Sequence, residues 1–362
     1  MSTPVVLIIF NRPHVVRQVW ATIRAARPNR LFVVADGPRP DRPEDAALCA
    51  ESRAIVAQVD WPCQVERNYA EHNLNCGLRV ATGLDWVFAQ VEEAIVLEDD
   101  ILPDPSFFGF CQALLARYRS DEQCMGIGGY NVLGEWRRAE GSYFFHRHPV
   151  TWGWATWARA WRSFDYHLER YRAWNVHERL LAHLSDPEMM AYTWDLFQHL
   201  KPALTDAWDT QWALICTLLG GRWISPTVNL VTNVGFDPDA THTGMAHDLR
   251  GLIRRGSAQW PLTAAEQQGR GAVDEDFDRW AFLLQNLNSY RDMRRLSVWQ
   301  RALDANPHLA MPGIFRGGRT TLAPLRNPAE LLAVLDYVAP FMADNPRLHR
   351  MKADLAALAA RP

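Results

Sequence analysis

Three things are missing from this sequence of 362 residues, and each closes off a class of function. No run of 18 apolar residues occurs, so no segment reads as a membrane-spanning helix. The six cysteines (Cys49, Cys63, Cys76, Cys111, Cys124 and Cys216) are scattered, with no Cys-x-x-Cys and no Cys/His grouping at zinc spacing, and a reduced cytoplasm is the expected home. An excess of one charge is missing too: 38 basic and 41 acidic residues leave a formal net charge of -3. No overall field therefore gathers nucleic acid or an anionic membrane, and any bound anion must be met by a local site. The opening apolar run at residues 5–10 lacks a cationic start and is followed at once by Asn11, Arg12 and Pro13, so it reads as a strand, not a signal peptide. Internal repeats and low-complexity tracts are absent as well.

What is present is a chain long enough to bury a full core without help from a cofactor. Hydrophobic residues make up 48%, an ordinary share for a globular protein, but 16 tryptophans are not ordinary. Indoles suit stacking on sugar rings as well as filling a core, and the helical spacing of many of them favours the core.

From residue 4 to about 100 strands and helices alternate. Residues 4–10 form a continuous apolar run, as expected of a strand buried on both faces. A helix is predicted from 15 to 26, a second buried strand from 31 to 35 ending in Asp36-Gly37, and a helix from 44 to 58. Asn73-Leu74-Asn75-Cys76-Gly77 then leads into a helix at 78–90, and a strand at 94–97 runs straight into Glu98-Asp99-Asp100. Helices follow at 104–119 and, after the Trp-rich stretch 151–157, up to about 219. A short strand is predicted at 223–228, a polar loop with Asn233, Gly235 and His242 at 229–244, and a final amphipathic helix near 328–360. Such alternation implies an α/β fold with a mostly parallel twisted sheet, whose ligands sit beyond the carboxyl ends of the strands. Asn11/Arg12, Asp36/Gly37 and Glu98/Asp99/Asp100 all fall at such ends, which makes their shared rim a candidate site.

Three carboxylates directly after a buried strand are costly unless something cationic satisfies them. Hard oxygen ligands suit Mg²⁺ or Mn²⁺, which share their coordination with substrate phosphates. The alternative is an exposed acidic helix start stabilised by the helix dipole.

The ordered set of strand, Asn-Arg, strand, Asp-Gly, Asn-x-Asn-x-Gly, strand and Glu-Asp-Asp resembles the nucleotide-sugar-binding half of glycosyltransferases of the A-type (GT-A) fold. Residues 96–108 are particularly similar to N-acetylglucosaminyltransferase I and its bacterial relatives, where Glu-Asp-Asp is the local form of the DxD motif. The resemblance spans roughly residues 4–245 and implies transfer of a sugar, N-acetylglucosamine or another hexose, from a UDP-sugar to an acceptor hydroxyl. It implies Asp100 as metal ligand with Asp99 in support, Glu98 at the donor, Asp36 reading uracil, and Arg12 with Asn11 near the donor phosphates or base. Asn75 and Gly77 fall beside the nucleoside, and Trp152, Gly153 and Trp154 beneath the donor sugar. A turn salt bridge at Arg12, an Asp-Gly turn at Asp36 and core packing of the Trp residues are the plainer alternatives. His242 occupies a late loop that supplies a metal or diphosphate ligand in such enzymes, although a lone His is commonly structural.

Inverting transfer needs a carboxylate to take the acceptor proton. Trp208-Asp209-Thr210-Gln211-Trp212 resembles the segment carrying that base, but the adjacent acid pair of the relatives becomes Asp-Thr here, leaving Asp209 and Asp206 both open. The same two acids also read as a helix N-cap arrangement ahead of Trp212. The expected organisation is a catalytic domain at 1–245, with a donor half at 1–130 and an acceptor half at 131–245, followed by a mainly helical region at 246–362. A sugar-1-phosphate nucleotidyltransferase would open with a glycine cradle for a triphosphate, and Asn11-Arg12-Pro13 offers none. An inactive sugar-binding protein on the same fold would lack the acids that are present. The acceptor, whether glycan, lipid-linked or protein, is not specified by the sequence. The arginines after residue 250 leave docking of an acceptor, an anionic lipid surface or a second subunit open.

Overall fold

All five residues of the first strand, β1 (Val5–Ile9), are buried. Successive side chains of a strand point to opposite faces, and both faces are covered. Val5, Leu7 and Ile9 join one apolar cluster, and Val6 and Ile8 another. β2 (Arg30–Ala35) and β4 (Glu93–Glu98) divide in the same way, with Leu31, Val33, Ile95 and Leu97 on the first face and Phe32, Val34, Ala94 and Val96 on the second. The continuous apolar runs are thus the mark of a sheet sandwiched between helices. The computed structural model describes residues 1–136, 141–200, 206–235, 249–265, 272–289, 315–316, 319–320 and 328–360.

The sheet also contains β3 (Gln64–Tyr69), β6 (Cys124–Gly128), β7 (Tyr143–His146), β8 (Trp154–Trp157) and β9 (Arg222–Pro226). Its order is β3-β2-β1-β4-β8-β6-β9-β7. β3, β2, β1 and β4 are mutually parallel and β6 is parallel to β9. β8 runs antiparallel to both β4 and β6, and β7 antiparallel to β9. The fold is therefore α/β with a mostly parallel, Rossmann-like sheet. A separate two-stranded ribbon joins β5 (Ile101–Pro103) to β10 (Val231–Asn233), pinning the 229–235 segment beside the acids that end β4.

Helices α1 (Pro13–Ala26), α2 (Asp45–Val56), α3 (Cys76–Phe88) and α4 (Pro105–Arg117) alternate with the early strands. Pro13 and Pro105 start α1 and α4, where a missing N-H costs nothing, and Asp104 caps α4 by accepting from Ser106 N at 2.9 Å. α1, α2 and α4 cover the first face, and α3 the second. The second face is completed by α5 (Val176–His183), α6 (Pro187–His199) and α7 (Asp209–Leu218). Its centre is an indole cluster in which Trp154 lies 5.5 Å from Trp208 and 5.9 Å from Trp223. Helices α8 (Glu275–Ser289), α9 (Pro328–Val338) and α10 (Pro346–Ala359) extend the first face, where Phe277, Leu331, Val334, Met351 and Leu355 share one cluster with β1.

One sequence expectation needs correction. The helix expected over 328–360 is two, because a 3-10 turn at Ala339–Phe341 containing Pro340 interrupts it before Pro346 starts α10. The Trp-rich stretch ends in a sheet strand, β8, whose four residues are buried. Residues 307–318, where prolines and glycines break the helical pattern of the sequence, lie outside the described residues except for Phe315 and Arg316. No helix among the described residues is long and apolar enough to cross a membrane.

Candidate active site

The strand order β3-β2-β1-β4 reverses direction of growth between β1 and β4, and a crevice opens beyond the carboxyl ends of strands at such a switch point. A cavity of about 340 Å³ lies there. β1 brings Ile8, Ile9, Phe10 and Arg12 to its wall, β2 brings Asp36, and the loop after β3 brings Asn73, Asn75 and Cys76. Glu98, Asp99 and Asp100 come from the end of β4, and Asp206, Trp208 and Asp209 from the approach to α7. Because β8 is antiparallel to β4, its beginning meets the same rim and supplies Thr151 and Trp152.

Of the residues singled out from sequence, Arg12, Asp36, Asn75, Glu98, Asp99, Asp100, Trp152, Asp206 and Asp209 line this one cavity. Five others do not. Asn11 donates from Nδ2 to Oδ1 of buried Asp45 at 2.6 Å, tying the turn after β1 to α2. Gly37 is required by the backbone of His72, which would lie 2.5 Å from a Cβ there. A Cβ at Gly77 would meet the Tyr166 hydroxyl at 2.7 Å. Gly153 has φ +61, a conformation that favours glycine, and Trp154 is fully buried in the indole cluster. These are packing and turn positions. His242 lies outside the described residues.

The cavity wall carries six carboxylates (Asp36, Glu98, Asp99, Asp100, Asp206 and Asp209) against three guanidinium groups (Arg12, Arg39 and Arg79), so acid exceeds base by three. Arg12 binds Asp99 through Nη2 and Oδ1, and the same Nη2 lies 3.0 Å from Asp100 Oδ2. The two acids raise the Arg12 pKa further, although its burial opposes them. Asp99 also accepts from Phe10 N at 3.2 Å, so it braces the ends of β1 and β4 against each other. Burial, followed by Asp100 and Asp209, pushes the Glu98 carboxyl well above the usual range.

Asp36 is enclosed by the loop after β3. Its Oδ1 accepts from Gly37 N at 2.8 Å and Leu74 N at 2.9 Å, and its Oδ2 from Asn73 Nδ2 at 3.0 Å. Burial nonetheless raises its pKa. Arg79 uses its guanidinium on Ala35 O and Asn68, holding the ends of β2 and β3 together. Asp206 Oδ1 accepts from Gly77 N at 2.9 Å and Oδ2 from Cys76 N at 3.3 Å, so it caps α3 and not the helix that follows it. The N-cap of α7 is Trp208, with no side-chain cap, and Asp209 is its first residue. Asp209 is exposed, and its Oδ1 accepts from Thr210 N at 2.8 Å and Thr210 Oγ1 at 3.5 Å.

A divalent ion shared with a diphosphate takes only one or two protein carboxylates. Among the described residues no three His, Cys, Asp or Glu groups are placed to cage a metal, so an ion here would draw its other ligands from substrate or water. The donor set fits that arrangement. Asp100 offers a hard oxygen at the rim, and the Gly235 backbone packs closely on it and on Arg12, since a Cβ there would run into both.

Phe10, Arg39, Asn73, Cys76, Arg79, Thr151, Trp208 and Asn233 line the cavity without having been singled out as site residues. Asn73 had a readable signal, because it shares the Asn-x-Asn-x-Gly loop with Asn75. Arg39 and Arg79 had none, since their placement depends on long-range packing.

No protein-family model matches the chain, and a search of curated proteins gives no match. Among solved structures it is similar to UDP-glucose pyrophosphorylase complexed with UDP-glucose, at 12% identity and TM-score 0.32, over 62% of this chain and 90% of that one. An apo UDP-glucose pyrophosphorylase gives 11% identity and TM-score 0.33 over 65% and 93%. Likeness at that level carries no information about activity.

Proposed function

We propose that the chain is a glycosyltransferase that moves a sugar from a nucleotide-sugar, most simply a UDP-sugar, to an acceptor hydroxyl. The observation that carries this reading is the assembly, in one cavity at the sheet's switch point, of Asp36, the Glu98-Asp99-Asp100 run, Arg12, Trp152 and Asp209. In it residues 1–130 supply the donor side and 131–245 the acceptor side. No described residue beyond Asn233 lines the cavity.

Asp36 and the 73–75 loop would hold the base, and Arg12 would lie toward the diphosphate. Asp100 would hold Mn²⁺ or Mg²⁺, which when bound supplies Lewis-acid neutralisation of the charge on the leaving nucleotide. Asp209 would take the proton from the acceptor hydroxyl as its oxygen bonds to the anomeric carbon and the bond from that carbon to the diphosphate breaks. Trp152, tilted against Tyr130 with ring centroids 4.8 Å apart, would offer an indole edge or face to a sugar.

Incubation with a panel of UDP-sugars and Mn²⁺ tests the reading through UDP release, with water standing in for an unknown acceptor. Slow UDP release is expected from one donor, and Asp100→Ala should abolish it. Full release in EDTA would remove the metal from the scheme. Consumption of a UDP-sugar only when pyrophosphate is added, with UTP formed, would instead make the chain a nucleotidyltransferase.

A further inference from the structure

We propose that Asp206 is a positioning residue whose carboxylate, clamped on the first backbone N-H groups of α3, holds Asp209 at the cavity. The proposal rests on Asp209 being the base.

The first N-H groups of a helix have no partner within it. At α3 the local N-cap residue, Asn75, makes no side-chain cap and sits at φ +65. The cap comes instead from 130 residues away, since Asp206 accepts from both Cys76 N and Gly77 N. Asp206 has φ +46, a conformation unfavourable for a residue with a Cβ, and such backbone persists only where surrounding contacts impose it. The junction is tight. A Cβ at Gly77 would lie 3.0 Å from the Asp206 carbonyl carbon and 2.7 Å from the Tyr166 hydroxyl.

Only Ala207 and Trp208 separate this clamp from Asp209, and both are fixed. Gln211 Nε2 donates to Ala207 O at 2.6 Å, and Trp208 is buried against Trp154. On the other side of the clamp, Asp36 binds Leu74 N and Asn73 in the same loop. Hydrogen bonds therefore run from Asp36 through the 73–77 segment to Asp206, from one wall of the cavity to the other, and Asp209 follows Asp206 three residues along the chain. Each oxygen of Asp206 is committed to a backbone N-H, which suits a clamp and not a base.

The variants Asp206→Ala, Asp206→Asn, Gly77→Ala and Asp209→Asn separate the possibilities, with UDP release read for kcat and calorimetric titration of UDP for affinity. A displacement of roughly 1 Å at a reacting group costs about 10²-fold, so Asp206→Ala should lower kcat about 10- to 100-fold with UDP affinity nearly unchanged. Asp206→Asn keeps an oxygen that accepts from N-H and should recover most of that loss. Gly77→Ala crowds the junction while leaving the carboxylate in place, and should reproduce the kcat loss even if Asp206→Ala does not fold. Asp206→Asn as inactive as Asp206→Ala would make Asp206 a base and overturn the proposal. Wild-type kcat in Asp206→Ala, beside an inactive Asp209→Asn, would overturn the clamp and leave the base standing. An active Asp209→Asn would remove the base itself, and the clamp's purpose with it.

Discussion

Asp36 shows how one carboxylate braces a loop while lining a cavity. Its position at a strand end was legible in sequence; its enclosure by Gly37, Asn73 and Leu74 was not, because those bonds depend on how the loop after β3 folds back. Replacing it with Ala strands two backbone N-H groups, at about 1–3 kcal/mol for a buried group left unpaired, so the melting temperature should fall. A hydrogen bond to a charged group contributes about 1.5–3 kcal/mol, which converts to roughly 10- to 100-fold in UDP affinity, while kcat changes less because base recognition is the same in ground and transition states. Titration of UDP into Asp36→Ala checks this. Unaltered affinity with a lowered melting temperature would leave Asp36 only its loop role. Asn11, Gly153 and Trp154 teach the converse lesson. Their sequence positions fit a ligand site equally well, and only the contact with Asp45, the positive φ and the complete burial show them to be structural.

At the scale of elements, strands β1, β2 and β4 were readable because burial on both faces leaves only apolar residues in their interiors, with Arg30, Glu93 and Glu98 at strand ends. β5 and β10 were not, being three residues each and defined by their mutual pairing. β7 was missed too, and it carries a buried polar cluster joining the sheet to α8. His146 Nε2 lies 2.8 Å from Ser225 Oγ, and Asp278 accepts from the backbone N-H of Arg147 and His148 at 3.0 and 3.1 Å. Although Ser, His and Asp meet here, His146 Nδ1 accepts from His148 N, so Nε2 carries the proton and donates to Ser225, opposite to what activation of a serine requires.

The cluster gives a pH prediction. Burial pushes Asp278 up to about 7, above its unfolded value of about 3.9, so the stability it contributes is present at low pH and lost as pH rises through 7. Burial, with Arg250 adding, lowers His148 to about 4, and burial lowers His146 in the same direction. Their contribution is present above about 6.5, the unfolded value, and lost as pH falls through the folded one. The Asp and His slopes thus oppose each other between about pH 4 and 6.5. Asp278→Asn removes only the Asp slope, so its melting temperature should fall more steeply on acidification than that of the wild type. Parallel slopes in thermal melts over that range would contradict the assignment.

Across the whole molecule, the near-neutral sequence conceals a cavity wall with six acids and three arginines. Composition could not reveal that concentration, because it arises only when four strand ends and the approach to α7 meet. The strand-end rule did locate the rim, since Arg12, Asp36 and Glu98 to Asp100 all follow apolar runs. The β8 side of the cavity was less legible: the antiparallel insertion of β8 brings Trp152 to the rim while burying Trp154 two residues later, and no helical or strand periodicity announces that division. Asp209 is exposed at the start of α7 and lines the same cavity as Glu98 and Asp100. The most direct measurement is UDP release by Asp209→Asn at saturating donor, beside its UDP affinity. Loss of a general base costs about 10² to 10⁴ in rate and leaves ground-state binding intact, so turnover should fall by that factor with affinity unchanged. Wild-type turnover in Asp209→Asn would contradict the proposed chemistry.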